Sequence, residues 1–405
     1  MKDNKLIDIE KKVLENYKIY SPSKIPLEKK NSKKYFLRRE KLFLDCLKLP
    51  KKIFLGANLL DLGCGTGEAD LLYAKWGAKL NLVEINPKSV KQLRKYFSYF
   101  GLTKSIAKIE NKSLFNYNSK KKFDIVVSEG VLHHTQNVEK GFKKLSTNLK
   151  SGGFCVLQVA FDSSQLQRNL QRFILDYLIG NQYSNKLIEE ISKILFSETI
   201  NRANKIGGRS KKQIIYDAYN NPKHKGINLP NLLNIFKKNN INYYSSYPSI
   251  EPENLINGLH TLLPSEHVLQ NPNITAFQSL FFLLASYNDE KLIKNYSKDL
   301  VSLEKKWKKL MKETTLSDYE YGSKINPTKI SNYFNVFAHK SLKLLSKRNS
   351  INEKKLIIFS NELKMLMDIL KTKDIKKIKN KINNFKILFR GYNGVPSNYI
   401  VGYKK

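Results

Sequence analysis

A 405-residue chain with 41% hydrophobic content is long enough for two or three domains. It has no uncharged apolar run of about 18 residues and no apolar leader in its first residues, MKDNKLIDIEKK, so a soluble, cytoplasmic protein without a membrane span is expected. The formal charge of +37 would suggest nucleic acid, but it comes from 63 lysines and nine arginines spread along the chain, which equally describes a solvated lysine surface of the kind an AT-rich genome produces.

Residues 1–50 read as a helical cap. Leu6, Ile9, Val13 and Tyr17 recur at helical spacing, Ser21-Pro22-Ser23 and Pro26 break the pattern, and a second helix is expected over Tyr35 to Leu47 before Pro50. The chain is organised around the next stretch. The apolar run Leu59 to Leu62 passes directly into Gly63-Cys64-Gly65-Thr66-Gly67, a helix follows over Glu68 to Trp76, and a second apolar run, Leu80 to Val83, stops at Glu84. This is a strand, glycine loop, helix, strand unit ending in a carboxylate. Bare backbone at Gly63, Gly65 and Gly67 lets a ligand lie against the carboxyl end of the first strand. Glu84, at the tip of the next strand, can accept hydrogen bonds from both hydroxyls of a ribose.

Further strands are expected at Ala107 to Glu110, Phe123 to Ser128 and Phe154 to Ala160. Helices are expected between them at Pro87 to Phe100 and Val138 to Leu149, the latter ended by Gly152-Gly153. Alternating strands and helices predict a doubly wound, mostly parallel sheet with right-handed crossovers. Three segments in register, Leu-Asp-Leu-Gly-Cys-Gly-Thr-Gly with its acid at Glu84, FDIVVSEGVLHHT at 123–135 and LKSGGFCVLQVA at 149–160, resemble class I S-adenosylmethionine-dependent methyltransferases, in particular the type 11/12 methyltransferase domains. The glycines run G-x-G-x-G, whereas a nicotinamide site would prefer G-x-G-x-x-G.

The resemblance implies a Rossmann-like, seven-stranded sheet and S-adenosyl-L-methionine as cofactor. It implies that Asp61, Gly63, Gly65 and Gly67 bound the methionine part, with Cys64 packed in the loop, that Glu84 holds the ribose, and that Ile85 packs on the adenine. Asn111 stands where many relatives carry an acid for the adenine amino group, and Ser128 opens the segment that lines the crevice. Neither the N-P-P-Y motif of adenine methylation nor the Pro-Cys pair of pyrimidine methylation is present. The form resembles the broad group acting on the O, N or C nucleophiles of small molecules. An RNA methyltransferase that uses the basic surface, or a non-catalytic cofactor-binding module, are the other readings.

His133 and His134 could supply a base near neutral pH or could shape the loop by hydrogen bonding. On a helix, adjacent side chains diverge by about 100°, so only one would face the acceptor. Arg168 and Arg172 lie four apart on one face of a helix expected over Gln165 to Leu178, either clamping a carboxylate or phosphate or facing solvent. Asp217 and His224 belong to Tyr216 to Leu229, read as a loop over the acceptor site. No metal-ligand spacing is seen, and Cys46, Cys64 and Cys155 form no C-x-x-C pair.

Helices are expected at Asn185 to Phe196 and Leu229 to Asn240, and a sixth strand at Ile241 to Pro248. The chain thus divides into a cap at 1–50, a cofactor-binding domain at 51–250 and a lysine-lined helical region at 251–394. Long helical patterns in the last of these include 277–287, 299–312, 333–345 and 353–370. Strand character returns within 395–405, at Tyr399 to Tyr403, and resembles the last antiparallel strand of the family's sheet, which would make the helical region an insertion.

Overall fold

The computed structural model describes residues 11–15, 17, 31–162, 165–182, 184–207, 209–221, 226–251, 268–270, 351–389 and 398–405. Helix α1 (Asn31–Lys41) leads through a short π-helical turn, Leu42–Cys46, to β1 (Asn58–Leu62). Helix α2 (Asp70–Lys75), β2 (Lys79–Val83), α3 (Pro87–Tyr99), β3 (Ile106–Glu110) and β4 (Phe123–Glu129) follow, then α4 (Val138–Asn148) and β5 (Leu149–Val159). Next come α5 (Leu166–Ile179), α6 (Asn185–Leu195), α7 (Ser197–Gly207) and α8 (Lys211–Ile215), before α9 (Leu229–Lys238) and β6 (Ile241–Tyr247). Helices α10 (Ile351–Leu370) and α11 (Ile375–Asn383) precede β7 (Asn398–Lys404).

The seven strands form one sheet in the order β3-β2-β1-β4-β5-β7-β6. Pairing is parallel from β3 to β5, and β7 is antiparallel to both β5 and β6. The order reverses between β1 and β4, so the loops after these strands open onto the crevice in which a doubly wound sheet holds its ligand. Core residues cover both faces of the sheet. Leu59, Leu71, Tyr73 and Phe97 belong to one layer, and Leu60, Phe142, Leu157 and Phe236 to the other.

Two local readings are corrected. Strand β5 begins at Leu149, directly after α4, and runs through Gly152 and Gly153, so the glycine pair does not end the helix. A Cβ on Gly153 would sit 2.7 Å from the Asp124 carbonyl, so Gly153 lets the strand lie against the backbone of β4. The supposed loop at 216–229 begins as a π-helical turn, Tyr216–Asn220, because Tyr216, Ala218 and Tyr219 are buried and continue the apolar face of α8. Pro222 then keeps Asn221 extended, at φ −63° and ψ 120°.

Helices α5 to α8 and the 216–220 turn share one apolar core with α10 and α11, through Phe173, Ile191, Phe196 and Tyr219 on one side and Phe359, Leu366 and Phe389 on the other. The helical layer therefore draws on two separate stretches, one between β5 and α9 and the other between β6 and β7. The helices expected at 277–287, 299–312 and 333–345 lie outside the described residues.

Candidate active site

The glycine loop begins where β1 ends, and the N–H groups of Gly63 and Cys64 donate to the Val83 carbonyl at 2.8 and 3.1 Å. All three glycines sit at positive φ, 98°, 56° and 79°, but the space around them differs. A Cβ on Gly63 would lie 2.4 Å from Val131, and one on Gly67 would lie 2.8 Å from Leu93, so these two make room for protein packing. At Gly65, with φ +56°, a Cβ would meet nothing within 4 Å, and this is the point where the backbone lies open. Cys64 is buried within the loop.

Glu84 is held at the tip of β2. Its Oε2 accepts from Gly65 N–H at 2.9 Å and its Oε1 from Asn86 N–H at 2.8 Å. Burial pushes the carboxyl up, while the backbone N–H groups of Asn86, Gly65 and Ile85 oppose that shift. A carboxylate has about four lone-pair positions, so these two bonds fix its orientation and leave positions for a diol. Ile85 is half-buried beside it. Asn111 donates from Nδ2 to the Glu84 carbonyl at 2.7 Å, which turns its amide oxygen outward from that bond. Ser128 donates to the Leu62 carbonyl at 2.9 Å, tying the end of β4 to the end of β1.

Behind the loop lies a buried acidic group. The carboxyls of Asp61 and Asp70 are 1% and 0% exposed. Burial, then the neighbouring carboxylates, hold Asp61 well above the usual range; burial, with Glu129 adding to it, pushes Asp70 up to about 8. At neutral pH both carboxyls therefore keep their protons. Beside them Arg39 of α1 pairs with Glu129 at the end of β4. Arg39 also donates to the Tyr73 hydroxyl at 2.8 Å, Tyr73 donates to Glu129, and Tyr399 of β7 donates to Glu129 at 3.1 Å. Neither Arg39 nor Glu129 was singled out in the sequence; the only hint was an arginine in a chain that otherwise uses lysine.

A second group of polar side chains is built on the loop after β4. Residues Leu132–His134 form one 3₁₀ turn, and the two histidine rings lie together, with centroids 4.2 Å apart, in contrast to the divergence expected of a helix. His133 is buried; burial first, then the charges of His134 and Arg168, hold its imidazole well below its usual range and therefore neutral. Arg168 is half-buried and Arg172 buried, so the solvent-facing alternative does not hold. Arg172 donates to the Asn221 carbonyl at 2.9 Å. Asp217 accepts from Arg209 at 3.2 Å, and its charge acts on Arg168. Asn221 and Tyr17, which the sequence reading passed over as site residues, join this group: the Asn221 amide nitrogen lies 3.1 Å from Tyr17 Oη and 3.3 Å from His134 Nδ1. The structure thus brings His133, His134, Arg168, Arg172 and Asp217 together, and His224 lies outside the described residues. Among the described residues no cluster of three His, Cys, Asp or Glu could hold a metal, and no helix is long and apolar enough to cross a membrane.

The sheet order, the open backbone at Gly65 and the braced carboxylate at Glu84 define a class I, S-adenosylmethionine-dependent methyltransferase fold, and these residues fit that cofactor. The family model described as a methyltransferase domain matches residues 34–244, just over half of the chain, and the chain belongs to that family, whose cofactor is S-adenosyl-L-methionine. No curated protein matches. Among solved structures, an S-adenosylmethionine-dependent methyltransferase from Listeria monocytogenes is 23% identical over 31% of this chain and 57% of its own, with a TM-score of 0.27. One from Clostridium acetobutylicum is 19% identical over 32% and 50%, at 0.26. The magnesium protoporphyrin IX methyltransferase of Synechocystis, solved with bound cofactor, is 17% identical over 36% and 68%, at 0.28. The chain thus spans little more than half of the first of these structures.

Proposed function

We propose that this chain transfers the methyl group of S-adenosylmethionine to an O, N or C nucleophile of a small, anionic acceptor. The bound cofactor supplies a methyl carbon already activated by a sulfonium, so the protein's work is alignment and exclusion of water. In this reading Glu84 takes the ribose hydroxyls, Ile85 lies against the adenine, and the backbone at Gly65 borders the methionine part. Arg168 and Arg172 set a positive field in the acceptor pocket that suits a carboxylate or phosphate. We also propose that the 251–394 region is an insertion between β6 and β7.

The observation that carries the reading is the Glu84 carboxylate, oriented by two backbone N–H groups beside the open Gly65. Titration calorimetry of the purified chain with S-adenosylmethionine and its demethylated product tests it. Binding by the wild type is expected, weakened roughly 100-fold in Glu84→Ala through loss of charge-assisted hydrogen bonds; absence of binding by the folded wild type would remove the proposal. Methyl-labelled cofactor with fractionated cell extract then identifies the acceptor. Label in RNA, with binding that falls steeply with salt, would favour the second reading, which the charge of +37 supports.

A further inference from the structure

We propose that Asn221 is a positioning residue that fixes His134 with its ring proton on Nε2, so that His134 serves the acceptor as a hydrogen-bond donor and not as a base. This rests on the methyl-transfer reading of the site.

Asn221 is fully buried at the end of the 216–220 turn. Its backbone is braced from α5, because Arg172 donates to its carbonyl at 2.9 Å. Its side-chain nitrogen reaches two groups at once, Tyr17 Oη at 3.1 Å and His134 Nδ1 at 3.3 Å. An amide NH₂ has two hydrogens and no lone pair to offer, so both groups must accept. Nδ1 of His134 is therefore bare, and the proton of the neutral ring lies on Nε2.

The opposite amide orientation would turn Oδ1 towards the same two groups, require both to donate, and place the ring proton on Nδ1. In the structure the amide nitrogen, not Oδ1, faces both groups, which selects the first arrangement. A His134 with Nδ1 engaged and Nε2 protonated has no lone pair for the acceptor's proton.

The tautomer can be read directly from two-bond ¹H–¹⁵N correlation spectra of the full chain labelled in histidine, with His134 identified by loss of its signals in His134→Gln. At pH 8 the wild type should show a bare Nδ1 and a protonated Nε2. In Asn221→Asp the carboxylate demands a donor, so the proton should move to Nδ1, with kcat lower by roughly 10- to 100-fold and cofactor affinity unchanged. A wild-type Nδ1–H, or an unchanged tautomer in a folded Asn221→Asp, would overturn the proposal, and the wild-type spectrum decides even if the variant does not fold. A wild type with the expected tautomer but no cofactor binding would instead count against methyl transfer while leaving the positioning role in place.

Discussion

At the scale of single residues, the glycine loop separates binding from folding. Gly63→Ala places a methyl 2.4 Å from the nearest Val131 methyl and should lower stability by about 1–3 kcal/mol in urea unfolding. Gly65→Ala has room, so beyond a left-handed backbone penalty of about 1 kcal/mol its expected effect is on calorimetric cofactor affinity. The acid pair behind the loop gives a pH dependence of definite sign. Asp70 is raised from its usual range to about 8 in the folded chain, so the folded state binds more protons than the unfolded one between these values. Its contribution is complete in acid and is lost as the pH rises through 8. Asp70→Asn keeps the neutral shape, so thermal unfolding should show the variant more stable than wild type at pH 9 by about 1–3 kcal/mol and little changed at pH 4. Glu84 and Gly65 could be read from sequence because strand, loop and acid are contiguous and their spacing encodes the geometry. Arg39 with Glu129, and Asn221 with Tyr17, could not be read, since 90 and 204 positions separate the partners and only the folded sheet joins them.

At the scale of elements, the parallel strands were readable from their apolar runs and flanking turns, and β5 was misjudged only at its start, where the glycine pair imitates a helix stop. The turn at 216–220 was hidden because Asn-Asn-Pro and Lys-Gly signal irregular chain while its aromatic residues are buried by helices distant in sequence. Helix α1 shows what long-range contacts add. Its Arg39 reaches α2 through Tyr73, β4 through Glu129 and β7 through Tyr399, in a pocket where pair and partners are nearly dry. Arg39→Met alone leaves Glu129 charged and buried and should cost about 3–5 kcal/mol in chemical denaturation. Arg39→Met combined with Glu129→Leu should recover most of that loss, because the desolvation penalty disappears with the pair.

At the scale of the whole molecule, the sheet closes through a strand far along the sequence from the rest. β7 lies between β5 and β6, with register running from Phe154↔Tyr403 to Val159↔Asn398 on one side and from Ile241↔Lys404 to Tyr247↔Tyr399 on the other. Deleting residues 398–405 should therefore leave two unpaired edges and abolish cooperative unfolding in calorimetry, although the glycine loop and Glu84 would be untouched. The shared core of α5 to α8 with α10 and α11 extends this dependence to the helical layer.

That placement also sets a timetable. Between β6 and β7 the ribosome must add the residues from 248 to 397, which at roughly 5–20 residues per second takes on the order of 10–30 s. Throughout that interval β5 offers a raw hydrogen-bonding margin and β6 has nothing to join. The nascent chain is most open to sticking and to chaperone capture during this pause, and a ribosome slowed inside the intervening stretch would lengthen the exposure.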